Sequence, residues 1–212
     1  MNLKNFIVVF ALLTIGFSFA QPIKIGVKAG LNLSNCHTSM SFGELYNNKL
    51  GYHFGIIGLL NSSETFGVQP EILYSRQGFV GGKTEYRFYA DQAPSYATPV
   101  FHFDYLNLPV MLNYSPIGKL SLQAGPQLGL LLNHSINLRE VSGDISEFED
   151  ELTSTDASSL STFDFGLAFG AQVNLQKWLI QLRYILGITG IAKNGEGIQN
   201  RNLQLSLGYF LK

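Results

Sequence analysis

The strongest structural signal in this sequence is the uninterrupted alternation of residue types over Phe163–Leu175. Every odd-numbered position in this run is apolar, and every even-numbered position is Asp, Gly, Ala, Gln or Asn. Successive side chains of a strand point to opposite faces, so the run predicts a strand with one apolar and one polar face. Strands of soluble proteins usually have about 5–6 residues, whereas a tilted strand needs about 9–11 to cross a bilayer. The run therefore predicts one wall of a membrane barrel.

The composition favours a protein whose outer surface contacts lipid. Only 14% of the residues are charged, against about 25% in a typical soluble domain. Aromatic residues make up 13% of the chain, and 22 residues are glycine. The formal net charge of −1 provides no basic field, so we expect no nucleic-acid partner.

The N-terminus predicts an export signal. Lys4 precedes an apolar stretch over residues 6–19, which is too short for a comfortable membrane helix. Ser18 and Ala20 place small residues where a signal peptidase requires them. We therefore expect a signal peptide over residues 1–20 and an outer-membrane β-barrel domain over residues 21–212, with an uncleaved anchor as the alternative. The lone Cys36 excludes a disulfide framework, and we expect it to be incidental in a loop.

Seven further segments have strand character, and their connections alternate between long and short. Bacterial outer-membrane barrels have an even strand number, short periplasmic turns and longer extracellular loops. The predicted fold class is therefore all-β, an eight-stranded antiparallel up-and-down transmembrane β-barrel in the cell outer membrane, with both termini on the periplasmic side. The predicted strands cover residues 23–34, 49–60, 65–79, 101–114, 120–132, 163–175, 178–189 and 200–211.

Three prolines fall within predicted strands. Pro70, Pro109 and Pro126 would each remove one donor from a β-ladder. A closed barrel has no free edge on which to place them. We therefore expect local bulges at these positions, or strand limits shifted by a few residues.

The polar faces of the predicted strands would line the lumen. An eight-stranded barrel is just wide enough for side chains to fill it, and charges of both signs inside it should pair. We expect a packed polar plug rather than a charged conduit, with Asp164 directed toward Lys24, Lys28 or Arg183. The inward set includes Lys24, Lys28, Glu71, Gln123, Gln127, Asp164, Gln172, Gln181, Arg183 and Gln204.

Aromatic residues near the strand ends predict interfacial belts on the lipid-facing surface. Those expected near the periplasmic turns or the C-terminus are Phe66, Tyr114, Trp178 and Tyr209, and those expected at the opposite rim are Tyr74 and Phe163.

Several strand segments together resemble the PorT-like outer-membrane β-barrel family over nearly the whole mature chain. The resemblance implies the barrel fold, and it implies recognition of the C-terminal aromatics, here Tyr209 and Phe210, by the barrel-insertion machinery. Because the founding member is associated with a protein secretion system, it also suggests a role in an envelope assembly. The segments concerned are residues 24–34, 69–75, 104–114, 125–129, 164–170, 183–184 and 207–210.

The candidate chemistry is sparse. His102 with Asp104, and His134 with Ser135, lie near the predicted extracellular rim, where a His, Ser and acid could serve an outer-leaflet lipid-modifying enzyme. No nucleophile-elbow motif accompanies them. The acidic stretch over residues 139–156 could bind calcium, but it lacks the EF-hand pattern and is expected to be a solvated loop. We therefore predict no catalytic, cofactor-binding or metal-binding residues.

The expected function is that of a non-enzymatic integral outer-membrane protein with a packed polar lumen. It would present extracellular loops or serve as a subunit of an envelope or secretion assembly, and the lipid-modifying barrel enzyme is the alternative. The expected partners are outer-membrane lipid, the barrel-insertion machinery and other envelope proteins.

Overall fold

The structure is a computed structural model that describes residues 23–38, 46–61, 63–86, 93–143, 153, 159–193 and 197–211. The predicted signal peptide lies outside these residues, as does most of the acidic stretch. The outcome for both predictions therefore stays open.

Within the described residues, nine antiparallel strands form one sheet, and eight of them close into a ring. The ring order is β1, β2, β3, β5, β6, β7, β8 and β9, and it is completed by pairing of β9 with β1. The short β4 pairs with β5. The predicted eight-stranded antiparallel fold is confirmed. The strands are β1 (Lys24–His37), β2 (Lys49–Asn61), β3 (Phe66–Val80), β4 (Thr84–Tyr86), β5 (Ser95–Ile117), β6 (Leu120–Ser142), β7 (Phe163–Leu175), β8 (Trp178–Gly190) and β9 (Gln199–Phe210).

The two ends of the barrel differ in their connections. At one end, here called the turn end, β5–β6 and β7–β8 are joined through Gly118-Lys119 and Gln176-Lys177. Gln176 has φ 58°, the left-handed conformation that tight hairpin turns require. The chain enters β1 and leaves β9 at this same end. The opposite end, called the loop end, carries the longer connections, as the sequence predicts.

Strands β5 and β6 are much longer than the sequence predicts, and β4 was not predicted. β5 begins at Ser95 rather than at residue 101, and β6 ends at Ser142 rather than at residue 132. The β5–β6 register shifts between the pairs Asp104↔Asn133 and Tyr105↔Leu131, which inserts one residue into β6. An inserted residue reverses which face the following side chains occupy. The regular alternation therefore ends at this bulge although the strand continues.

Cys36 lies in β1 and not in a loop, so that prediction is wrong. The thiol is buried and free, and the side chain packs with Phe79 and Phe103 at the loop end. β1 continues to His37 because Cys36 and His37 pair with Asn200 and Gln199 of β9.

The bulges expected at the prolines are not found there. Ile57↔Glu71 and Leu60↔Val68 lie on either side of Pro70 in one continuous register. The ladder therefore accommodates the missing N–H donor of Pro70 without an inserted residue. In this register the residue opposite Pro70 is a glycine. A Cβ on that glycine, Gly58, would lie 3.5 Å from Pro70 Cγ. Pro109 and Pro126 likewise pair in register, with Gln127 and Leu167.

The outer surface is apolar, as the alternation predicts. Leu167, Phe169 and Leu182 are 42%, 46% and 52% exposed, while their chain neighbours Ala168 and Gln181 are buried. No helix among the described residues is both long enough and apolar enough to cross a membrane.

Aromatic side chains group on this outer surface. At the turn end the rings of Phe66 and Tyr114 lie 5.1 Å apart, and those of Trp178 and Tyr209 lie 4.8 Å apart. This is the arrangement of an interfacial belt.

We expect Leu167→Arg to destabilise the barrel by about 2–4 kcal/mol, because it places a charge in the middle of the lipid-facing band. The free energy of unfolding in lipid vesicles, measured by denaturant titration, tests this. Gly166→Arg, on the opposite face of the strand, is unsuitable as a control, since a side chain there would meet the Leu186 carbonyl oxygen.

The matched control is Leu175→Arg. This leucine is on the same strand and the same face and is 45% exposed, but it adjoins the turn to β8. Its replacement should cost about 0–1 kcal/mol, the value for interfacial positions. Equal costs for the two variants would contradict a bilayer-spanning β7.

Candidate functional site

The centre of the lumen holds two cations on one carboxylate. Lys28 Nζ donates to Glu71 Oε2 at 2.6 Å. The Arg183 guanidinium donates to both oxygens of Glu71, at 2.9 Å to Oε2 and 2.7 Å to Oε1. All three side chains are inaccessible to solvent. The fork geometry of arginine explains the bidentate contact, and the group forms a tie between β1, β3 and β8.

A layer of amides surrounds this charged group. Gln181 Nε2 donates to Gln123 Oε1 at 2.6 Å and to Gln172 Oε1 at 3.0 Å. Gln123 Nε2 in turn donates to Asn113 Oδ1 at 2.9 Å. Gln69 Nε2 donates to Glu71 Oε1 at 2.7 Å, which connects the amide layer to the charges. Strands β3, β5, β6, β7 and β8, which carry these amides, therefore contact one another through the lumen as well as through the sheet.

A second polar cluster lies on the β1–β2–β9 side of the lumen. Asn32 Nδ2 donates to Ser75 Oγ at 2.9 Å, which leaves Asn32 Oδ1 as the acceptor for the His53 ring at 2.7 Å. His53 Nδ1 is then the donor, and in the neutral ring Nε2 accepts from Ser206 Oγ at 2.8 Å. Together with the amide layer, this cluster involves side chains from all eight strands of the ring.

Asp164 faces the lumen as predicted, but its predicted ion pair is wrong. Its carboxylate accepts hydrogen bonds from Thr189 Oγ1 at 3.0 Å and Asn200 Nδ2 at 2.7 Å. Lys28 and Arg183 instead share Glu71. The pairing differs because Asp164 sits near the loop end of β7, several residues from the level of the charged group.

The prediction that Lys24 belongs to the packed polar plug is also wrong. It is exposed at the turn end, where it lines a vestibule of about 540 Å³ together with Glu64, Lys119 and Lys177. The phase of β1 is as predicted, but Lys24 is the first residue of the strand and lies below the packed section.

The lumen is not uniformly polar, which corrects the prediction. Ile57, Leu179 and Phe210 form a buried apolar cluster beside the charged group. A larger apolar cluster, with Phe79, Phe103 and Ile191, lies at the loop end. The sequence alone did not predict either cluster, because only the polar residues of the inward faces were used to describe the lumen.

The residues considered for enzyme chemistry do not form a catalytic triad among the described parts of the chain. His102 and Ser135 are cross-strand partners, but the polar contact of His102 Nε2 is with Asn137 Nδ2, at 3.5 Å. Asp104 pairs with Arg76, at 3.7 Å. The described residues contain no group of three His, Cys, Asp or Glu side chains suited to a metal ion.

Comparisons with known proteins agree with this architecture. The family model described as outer membrane protein beta-barrel domain matches residues 19–193. Among solved structures, Neisserial surface protein A is 12% identical with a TM-score of 0.55, and the match covers 89% of this chain and 99% of that one. Ail of Yersinia pestis is 13% identical with a TM-score of 0.48, over 90% and 100% of the two chains. No curated protein matches this chain. At 12% identity, the likeness to Neisserial surface protein A supports the fold alone.

We expect Glu71→Gln to destabilise the protein by about 3–5 kcal/mol, because it leaves two buried cations without their counter-charge. The free energy of unfolding of the reconstituted protein measures this cost. Glu64→Gln makes the same chemical change at an exposed turn position and should alter stability by less than about 0.5 kcal/mol. Similar effects for the two variants would contradict the buried ion-pair group.

Proposed function

Since the chain belongs to the outer membrane protein beta-barrel domain family and is located in the cell outer membrane, we propose that it is a non-enzymatic barrel that presents structured elements at the cell surface. A role as a subunit of an envelope or secretion assembly fits the same architecture, and the resemblance to the PorT-like family supports that variant. One observation supports the proposal. Side chains fill the lumen, whereas strands at the loop end extend beyond their neighbours.

The filled lumen argues against a transport role. The charged group and the amide layer interlock side chains across the barrel, and the side chains of Lys28, Glu71 and Arg183 are inaccessible to solvent. Opening a path would break several charge-assisted hydrogen bonds at once and would leave buried charges unpaired. The barrel therefore serves best as a rigid support.

The elaborated loop end is a hairpin that extends beyond its neighbours. β7 pairs with β6 no further than Leu130↔Phe163, whereas β6 continues to Ser142. β4 adds a third strand to this extension through Thr84↔Ala97 and the pairs that follow. We call this unit, residues 84–86, 95–100 and 131–142, the projecting hairpin. A paired strand holds its side chains in fixed positions, which suits recognition by another molecule.

The expected partners follow from this arrangement. Outer-membrane lipid would contact the apolar outer surface, and the insertion machinery would recognise the C-terminal strand, where Tyr209 packs on Trp178. Another envelope protein would contact the projecting hairpin.

We expect the purified protein to be impermeable to ions in planar bilayers, because the polar network blocks the lumen. Single-channel recording should show no steady conductance above that of protein-free bilayers. Reproducible unitary steps would contradict the plug and favour a conduit.

We also expect the projecting hairpin to face the outside of the cell. In a Cys36→Ser background, Val141→Cys should react with a membrane-impermeant maleimide on intact cells. Val141 is 47% exposed on the hairpin. The matched position Lys177→Cys, exposed in a turn at the other end, should react only after the outer membrane is permeabilised. The reverse pattern would overturn the proposed orientation.

An experiment can distinguish the alternative, a lipid-modifying enzyme, from the proposed non-enzymatic barrel. Turnover of labelled outer-leaflet lipid by the wild-type protein, with loss of turnover in His134→Ala, would replace the proposal. Equal, background-level signals from the two proteins are the expected result.

A further inference from the structure

The chemistry of the lumen changes toward the loop end. Above the amide layer, inward positions carry aromatic and aliphatic side chains, and Phe79, Phe103 and Ile191 are 4%, 4% and 6% exposed. Phe101 and Ile198 pack against them. The polar network already fills the barrel below, so closure of the barrel does not require this second, apolar section.

The apolar section lines a partly open cavity of about 140 Å³. We call it the aromatic chamber and define it by Phe79, Phe101, Phe103, Leu160, Ile191 and Ile198, which line it. His134 also borders it. Fully enclosed apolar cavities of about 150 Å³ bind molecules such as benzene. The size and the lining of the chamber therefore match a single small ring.

One wall of the chamber is held in place by the sheet. Phe79 and Phe101 are register partners on β3 and β5, and their ring centroids lie 4.6 Å apart. The Phe103 ring lies 6.0 Å from Phe79. Such aromatic pairs favour edge and offset contacts, which a further ring can extend. Since paired strands carry these three side chains, this wall of the cavity is preformed, and ligand binding would require little ordering of it.

A polar layer lies below the chamber. Tyr105 packs against Phe103, with ring centroids 6.4 Å apart. The Tyr105 hydroxyl accepts from Asn200 Nδ2 at 3.4 Å, and Asn200 also donates to Asp164. An apolar molecule that moved deeper would have to displace these hydrogen bonds and then the charged group. A molecule in the chamber is therefore not passed through the barrel.

We propose that the aromatic chamber is a binding site for a small apolar molecule about the size of one benzene ring. This role is independent of surface presentation by the projecting hairpin, and either can hold without the other.

The test uses the full chain in lipid nanodiscs, with isoleucine methyl groups labelled for NMR and fluorobenzene as the probe. Ile191 and Ile198 line the chamber, whereas Ile56 and Ile180 are 56% and 45% exposed on the lipid-facing surface. Methyl resonances of the chamber pair should shift and saturate as the probe is added. Those of the lipid-facing pair should shift in proportion to the probe that dissolves in the bilayer.

Ala192→Leu serves as the blocking variant, since Ala192 borders the chamber. It should weaken the saturable binding by about tenfold or more. Ala124→Leu adds the same atoms on the exposed face of β6 and should leave binding unchanged.

Non-saturating shifts at Ile191 and Ile198, like those of the lipid-facing pair, would overturn the proposal and assign the chamber a packing role. Undiminished binding in a folded Ala192→Leu would also overturn it. If this variant fails to fold, the wild-type protein decides the question: nuclear Overhauser contacts between the probe and the Phe79 or Phe103 ring support the site, and their absence overturns it.

Discussion

The structure depends on the neutralisation of buried charges inside a closed β-barrel. An eight-stranded ring leaves room for side chains but not for bulk water, so each inward charge must find its partner among the other strands. Glu71 meets this requirement for both Lys28 and Arg183. The resulting contacts connect β1, β3 and β8 across the lumen, and the surrounding amides extend the connection to their neighbours. Breaking a buried pair is far more costly than the pair's net contribution to stability, so this group fixes how the strands can be arranged.

The wall itself could be predicted from the sequence because its cause is local. A side chain in a strand faces one way or the other according to its position alone, and contact with lipid on one side makes the distinction visible in residue type. Phe163–Leu175 has the same bounds in the structure as in the sequence pattern. The inward direction of Glu71, Gln123 and Arg183 followed from the same alternation.

The partners inside the lumen could not be predicted, because they depend on the relative height of residues on different strands. Asp164 and Glu71 are both inward acids, yet Lys28 and Arg183 lie at the level of Glu71. Alternation gives the face of a residue but not its position along the barrel axis. The extension of β6 was missed for a related reason, since the bulge beside Asn133 reverses the phase.

The alternation of residues along β5 also indicates the apolar section of the lumen. Phe101, Phe103 and Tyr105 share the phase of Asn107 and Asn113, whose side chains are buried in the lumen. Continuing that phase upward along β5 places three aromatic residues inside the barrel. One strand thus contributes amides to the plug and rings to the aromatic chamber, so the lumen has two sections of different chemistry. The polar section supplies the cross-strand contacts that hold the wall together. The apolar section can therefore line a cavity without weakening the charged centre.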